Sequence, residues 1–289
     1  MMARWRHCAA ILLLAVGFGQ AEAARVGVLA NNFFNEAAAD FNARLSGHTF
    51  TPIDASGSPP SLSSLLAAYD VLLVYADGPF AISPAVGDVA AAFANTGRPV
   101  ALGTFYDQIR SVAAGGNGAG SGWGALEALD PNVTDGAGVP YPGGQSRTLN
   151  AAATVPHPLT QQVTVLFGTK WAGGNEAKPG TIVVAEWQQR NARNTIDPAI
   201  AYRVTGLACV IQIGIAPHYA ATGSPPAVFG TDFGGDFYRV WQNTFDFAGR
   251  GCVSSAPTVP TLSDLALAAL VLALAALAWR ERKRAIARR

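Results

Sequence analysis

The sequence predicts an α/β domain, a three-layer sandwich with a mostly parallel sheet and an antiparallel edge, in a chain that ends in a transmembrane helix. Three observations predict it. Short aliphatic runs, Val26 to Ala30, Val71 to Tyr75 and Pro99 to Gly103, alternate with segments of helical periodicity, the pattern of strands buried on both faces and joined by crossover helices. Ala199 to Val204 and Leu207 to Ile215 are separated only by Thr205-Gly206, too short for a crossover, so they form an antiparallel hairpin. Finally, every side chain from Leu265 to Trp279 is apolar and Arg280-Glu281-Arg282-Lys283-Arg284 follows directly, a hydrophobic helix with a basic stop.

Taken in order, Arg4 and Arg6 precede apolar Ala9 to Gly19, and Ala21-Glu22-Ala23 puts small residues where a signal peptidase reads them. Residues 1–23 are therefore expected to be a signal peptide used by Sec-type export and cut after Ala23. After the strand Val26–Ala30, Phe34 to Leu45 carries Phe34, Ala37, Ala38, Phe41 and Leu45 on one helical face. Thr49 to Ile53 reads as a strand, Leu62 to Ala68 as a short helix, and Val71–Tyr75 as a buried parallel strand with a turn at Asp77-Gly78-Pro79. Pro84 to Asn95 is the next helix, closed by Gly97 ahead of the strand Pro99–Gly103. The second half is looser. Ala114 to Gly124 is glycine-rich, a helix is expected over Trp123 to Leu129, and Asn132 to Gln145 is rich in Gly and Pro. Strands are expected at Gly180–Trp187, Ala199–Val204 and Leu207–Ile215, then a last helix from Asp236 to Ala248.

The apolar run of the tail, 15 residues, gives about 22 Å of helix at 1.5 Å per residue, short of a hydrocarbon core of about 30 Å. A run of this length also suits a buried core helix, but six basic residues against one acid at its end favour a membrane span over 264–280 with a basic cytoplasmic tail at 281–289. Before it, in the linker 253–263, stands Val259-Pro260-Thr261-Leu262-Ser263. With the apolar helix and Arg-rich end, this motif resembles the IPTL-CTERM sorting tail, a relative of the PEP-CTERM tails, with Val259 where that family has Ile. The resemblance implies an exosortase-like enzyme as partner and a body that leaves the membrane after processing. Leader and basic stop agree on one topology, with the body on the periplasmic or cell-surface side of a bacterial membrane.

Of 20 basic residues two lie in the leader and six in the tail, and of 19 acids Glu22, Asp264 and Glu281 lie outside the body, which is left with 12 bases against 16 acids. A body about four charges negative is unsuited to nucleic acid or an anionic lipid surface. Cys8 leaves with the leader, so the body keeps Cys209 and Cys252. Two readings stay open for them, a disulfide stapling the domain's end to its sheet, or free thiols with Cys209 simply buried. No spacing suggests a metal site, and no cofactor is expected.

Several segments of the body, residues 24–252, carry a further resemblance: Val26 to Ala30, Tyr69-Asp70-Val71-Leu72-Leu73-Val74, Gly97-Arg98-Pro99-Val100-Ala101-Leu102 before Thr104-Phe105, His157-Pro158-Leu159-Thr160, Pro198 to Ile215, and Trp241 to Ala248. Together they resemble the class I glutamine amidotransferase-like superfamily, especially its ThuA-like branch, which implies a flavodoxin-like sandwich. Catalytic members place a nucleophilic Cys on a sharp turn after the strand that here is Pro99–Gly103. This sequence instead has Gly103-Thr104-Phe105-Tyr106-Asp107, with neither Cys nor Ser and with bulky residues where an elbow needs glycine. Amidotransferase chemistry is therefore expected to be absent.

Ligands of such sheets bind in the crevice beyond the carboxyl ends of the strands. Here it would gather Asn31, Asn32, Asp77, Tyr106, Asp107 and Trp123, side chains suited to a carbohydrate through hydroxyl partners and flat apolar faces. The plainer reading is that Asn31, Asn32 and Asp77 end strands and cap helices. His157 and His218 each adjoin a proline, where turn geometry accounts for them. An Asp77 or Asp107 pair with His157 is the alternative, an extracellular hydrolase of sugar or peptide. The glycine-rich segment lacks the Lys-Ser/Thr ending of a phosphate-binding loop. The expected function is thus an exported envelope or surface protein with a non-catalytic, carbohydrate-binding domain.

Overall fold

In the computed structural model, residues 23–77, 80–104, 122–133, 146–169, 172–191, 193–217 and 229–253 are described. The chain divides into a unit Met1–Val253 and a unit Ser254–Arg289. The leader, the sorting motif and the expected transmembrane helix lie outside the described residues, and among those described no helix is long and apolar enough to cross a membrane.

The alternation of the sequence becomes strands β1 (Arg25–Ala30), β2 (Thr49–Asp54), β3 (Val71–Val74) and β4 (Val100–Leu102), linked by helices α1 (Phe34–Arg44), α2 (Leu62–Ala68) and α3 (Ser83–Asn95). Beyond them lie the short β5 (Arg147–Thr148) and β6 (Leu166–Gly168), then β7 (Ile182–Glu186), β8 (Pro198–Thr205), β9 (Ala208–Ile213), β10 (Phe233–Gly235) and the last helix α4 (Phe237–Gly249). The main sheet has seven strands in the order β2-β1-β3-β4-β9-β8-β7. The pairs from β2 through β9 are parallel, whereas β8 pairs antiparallel with both β9 and β7, forming the expected antiparallel edge. Gly206, at φ 61, turns the β8–β9 hairpin in a conformation that glycine adopts without strain.

Side chains alternate between two cores, as a period of two demands. Val71, Leu73 and Tyr75, with Cys209, Ile211 and Ile213, face one core, where α1 and α4 contribute Phe41, Phe237, Trp241 and Phe245. Leu72, Val74 and Ala76, with Val100, Leu102 and Val210, face the other, where α2 and α3 contribute Leu65, Val86, Ala90 and Phe93. Helices on both faces of one sheet make three layers. The expected helix at Trp123–Leu129 is a 3-10 turn, Gly124–Ala128. It sits so close to α3 that a Cβ on Gly87 would lie 1.8 Å from the Trp123 carbonyl oxygen.

A second sheet, β10-β6-β5, is antiparallel and was not anticipated. Its strands, two or three residues long, are too short for periodicity to register. Between Ile182 and Pro198 the β7–β8 register shifts around Val183 and Ala185, a bulge at the sheet's edge. Cys209 and Cys252 are disulfide-bonded with Cα atoms 6.4 Å apart, tying the chain beyond α4 to β9.

Candidate functional site

The order β2-β1-β3 reverses winding direction between β1 and β3, so the crevice past the carboxyl ends of these two strands is the topological switch point where open α/β sheets take ligands. Asn31 follows β1 and Asp77 lies three residues past β3. They meet across the switch point: Asn31 Nδ2 donates to the Asp77 carbonyl oxygen at 3.0 Å, and the Asp77 amide donates to Asn31 Oδ1 at 2.8 Å. The asparagine thus substitutes for the sheet ladder where the strands part, and it fixes the Asp77 backbone at the rim.

Burial pushes the Asp77 carboxyl up to about 6. The neighbouring Tyr75 phenol is buried, and burial first, then the charges of Asp77 and of Glu36 in the first turn of α1, push it far up. A neutral phenol and a carboxyl that holds its proton into mildly acidic pH therefore share this corner. At the next strand end, Thr104 donates its amide to the Ile215 carbonyl at 3.3 Å, while its buried Oγ1 has no hydrogen-bond partner among the described residues. Gln212 is also fully buried, opposite Leu102 in register, and its Oε1 has no partner among the described residues. Thr104 and Gln212 add unspent hydrogen-bonding capacity at the ends of β4 and β9. The sequence signal for Gln212 was an amide inside the apolar run Ala208–Ile213, a residue costly to bury without a purpose.

The remaining candidates divide. Asn32 is exposed, and its Oδ1 accepts from the amide of Phe33, the residue ahead of α1, at 3.0 Å, without capping the helix. Trp123 is fully buried and packs edge-on to Phe80 at 5.6 Å, which corrects its expected role as an open platform for a sugar face. The close approach of its backbone to α3 carries the ring into the core. Tyr106, Asp107 and His218 lie outside the described residues.

His157 begins a 3-10 turn: its Nδ1 accepts from the Leu159 amide, and Thr160 Oγ1 accepts from its own amide. Its ring stacks on Tyr202 at 5.2 Å and meets Phe247 edge-on at 5.0 Å. Burial lowers its pKa. Tyr202 on β8 stands three strands from β3, roughly 14 Å at about 4.8 Å per strand spacing. The structure therefore does not bring His157 to Asp77 as an acid–base pair. Asn132, of a glycosylation-like triplet, is fully buried.

Residues 258–284 match the IPTL-CTERM motif. No curated protein matches the chain in sequence. Among solved structures, the cytoplasmic protein STM1381 from Salmonella typhimurium LT2 is similar at 13% identity and a TM-score of 0.47, over 76% of this chain and 97% of that one. A β-galactosidase from Bacillus circulans sp. alkalophilus is similar at 11% identity and a TM-score of 0.47, over 79% of this chain and 31% of that one. The carbohydrate deacetylase Agd3 follows at 12% identity and a TM-score of 0.39, over 68% of this chain and 30% of that one. The chain thus spans about a third of the length of these two enzymes, and likenesses at this level carry no argument about activity.

Proposed function

We propose that this chain is an exported envelope protein in which a non-catalytic, ligand-binding α/β domain is delivered by a processed tail. The observation that carries the reading is the IPTL-CTERM motif at 258–284, which suggests an exported, envelope-associated protein and an encounter with a sorting enzyme at the membrane. On this reading Sec-type export removes residues 1–23, an exosortase-like enzyme acts at Val259, Pro260, Thr261, Leu262 and Ser263, and the helix 264–280 anchors the chain until then. The strand order β2-β1-β3-β4-β9 supports a flavodoxin-like, glutamine amidotransferase-like body, and the absence of Cys and Ser from 103–107 supports a loss of that family's chemistry. Asn31, Asp77, Thr104 and Gln212, with Tyr106 and Asp107 following in the chain, are the residues proposed to meet a hydroxyl-rich ligand, a carbohydrate being the class they suit.

Fractionation tests the delivery. Full-length chain is expected in the envelope and a chain ending at Val253 in the soluble exported fraction; both in the same fraction would remove the tail's role. A second reading, hydrolysis of sugar or peptide, has in its favour the raised pKa of Asp77, a property of acid–base groups. It would work through Asp77 without His157, or through Asp107, which lies outside the described residues, with His157, and turnover abolished by Asp77→Asn would establish the Asp77 form over the first reading.

A further inference from the structure

Near the start of the described residues stands Ala24, the residue that cleavage after Ala23 would leave first. Its backbone nitrogen lies 3.2 Å from His48 Nδ1, and His48 Nε2 lies 2.9 Å from Asp246 Oδ1 on α4. The His48 side chain is 1% exposed, held edge-on between Phe50 at 6.3 Å and Phe245 at 6.1 Å. Because the Ala24 nitrogen donates into Nδ1, the ring's proton sits on Nε2 and is donated to Asp246, whose carboxylate also accepts from Gln242 Nε2 at 3.1 Å. The neighbouring acid, Asp70, is already engaged by Arg25 through its backbone N, Nε and a second guanidinium nitrogen. A cavity of about 340 Å³ opens beside Ala24, lined by Ala23, Asp70, Arg98 and Gly251 among others.

A backbone amide needs no carboxylate behind its acceptor. An ammonium in the same place brings a positive charge, and the Asp246 carboxylate on the far side of the ring supplies the opposite one, a charge-assisted arrangement. We propose that the buried His48, backed by the partly exposed Asp246, is a receptor for the free α-amino group of the processed chain, so that leader removal completes the fold by installing Ala24 as a docked N-terminus. The inference rests on the reading that cleavage falls after Ala23. Hydrolysis adds water across the Ala23–Ala24 peptide bond: hydroxyl goes to the Ala23 carbonyl and a proton to the Ala24 nitrogen, which takes another from solvent to become the ammonium. The cavity gives the departing Ala23 side room to leave while Ala24 keeps its bond to His48.

The test uses the exported full chain. Its N-terminus is read by mass, and the α-amine is then pulse-labelled with an amine-reactive ester at neutral pH, folded and in urea. The expected result is Ala24 at the N-terminus, labelling about tenfold slower folded than unfolded, and most of that protection lost in His48→Phe, which keeps the ring packing and removes the acceptor. Asp246→Asn, which preserves the hydrogen bonds but not the charge, is expected between the two and covers the case in which His48→Phe does not fold. An N-terminus other than Ala24 would overturn the cleavage reading and the receptor with it. Ala24 found at the terminus but labelling as fast folded as unfolded, or equally slowly in wild type and in folded variants, would overturn the receptor alone.

Discussion

The half-buried Asp77 and the buried Arg147 lend themselves to direct tests. Folding raises the Asp77 pKa from 3.8 to about 6, so between these values the folded chain binds more protons than the unfolded one. Its contribution therefore falls as pH rises through that window, by roughly 3 kcal/mol as an upper bound. Asp77→Asn is accordingly expected to be more stable than wild type at pH 7, by up to about 2 kcal/mol, with the gain gone near pH 4. Urea unfolding at the two pH values checks it; a gain independent of pH would mean that ionisation of Asp77 is not the cause. Arg147 and Asp197 are 2% and 0% exposed and paired at 3.0 Å, and Asp197 also accepts from the amides of Gly174 and Asn175. Removing the guanidinium leaves a buried carboxylate without its counter-charge, so Arg147→Ala is expected to cost about 3–5 kcal/mol in a urea titration. Of the site, what could be read in the sequence were the polar residues ending apolar strands, Asn31 and Asp77. The fate of Trp123 could not, because its glycine-rich flanks read as a surface loop while its close approach to Gly87 belongs to tertiary packing.

Among the elements, α3 makes the sharpest test of packing against propensity. Alanine is the better helix former by about 1 kcal/mol, yet a Cβ at Gly87 would meet the Trp123 backbone at 1.8 Å. Gly87→Ala is therefore expected to destabilise by about 1–3 kcal/mol in thermal or urea unfolding, and a stabilised variant would mean that the 3-10 turn does not bear on this helix. The disulfide closes a separation of 43 residues between β9 and the end of α4. Cys209→Ser with Cys252→Ser is expected to cost about 2–4 kcal/mol, mostly by freeing the unfolded chain; unchanged melting would show the staple to be dispensable. The first half of the fold was legible because its inner strands are unbroken aliphatic runs set between helical segments: α2 spans Leu62–Ala68 as expected, and α3 ends at Asn95 as expected. In the second half the β8–β9 hairpin announces its own turn at Thr205-Gly206, β7 lies within the expected Gly180–Trp187, and α4 lies within a residue of the expected Asp236–Ala248 at each end. The strands β5, β6 and β10 lie where Gly, Pro and isolated polar residues set the pattern, and long-range pairing rather than local preference makes them strands.

For the whole molecule, the opposed charges of body and tail argue for division of labour. An acidic body is disfavoured at anionic surfaces by its own charge, and the match at 258–284, which suggests envelope association, is what the proposed delivery rests on. The apolar run Leu265–Trp279 is short, with Asp264 at its edge, features that weaken a permanent anchor more than one held briefly and then cut. The most direct measurement is the mass of the C-terminal peptide of the protein from its native host and from a host lacking the sorting enzyme. Processing near Val259 to Leu262 in the first and a tail intact to Arg289 in the second is the predicted result. Arg289 still attached in the native host would contradict it.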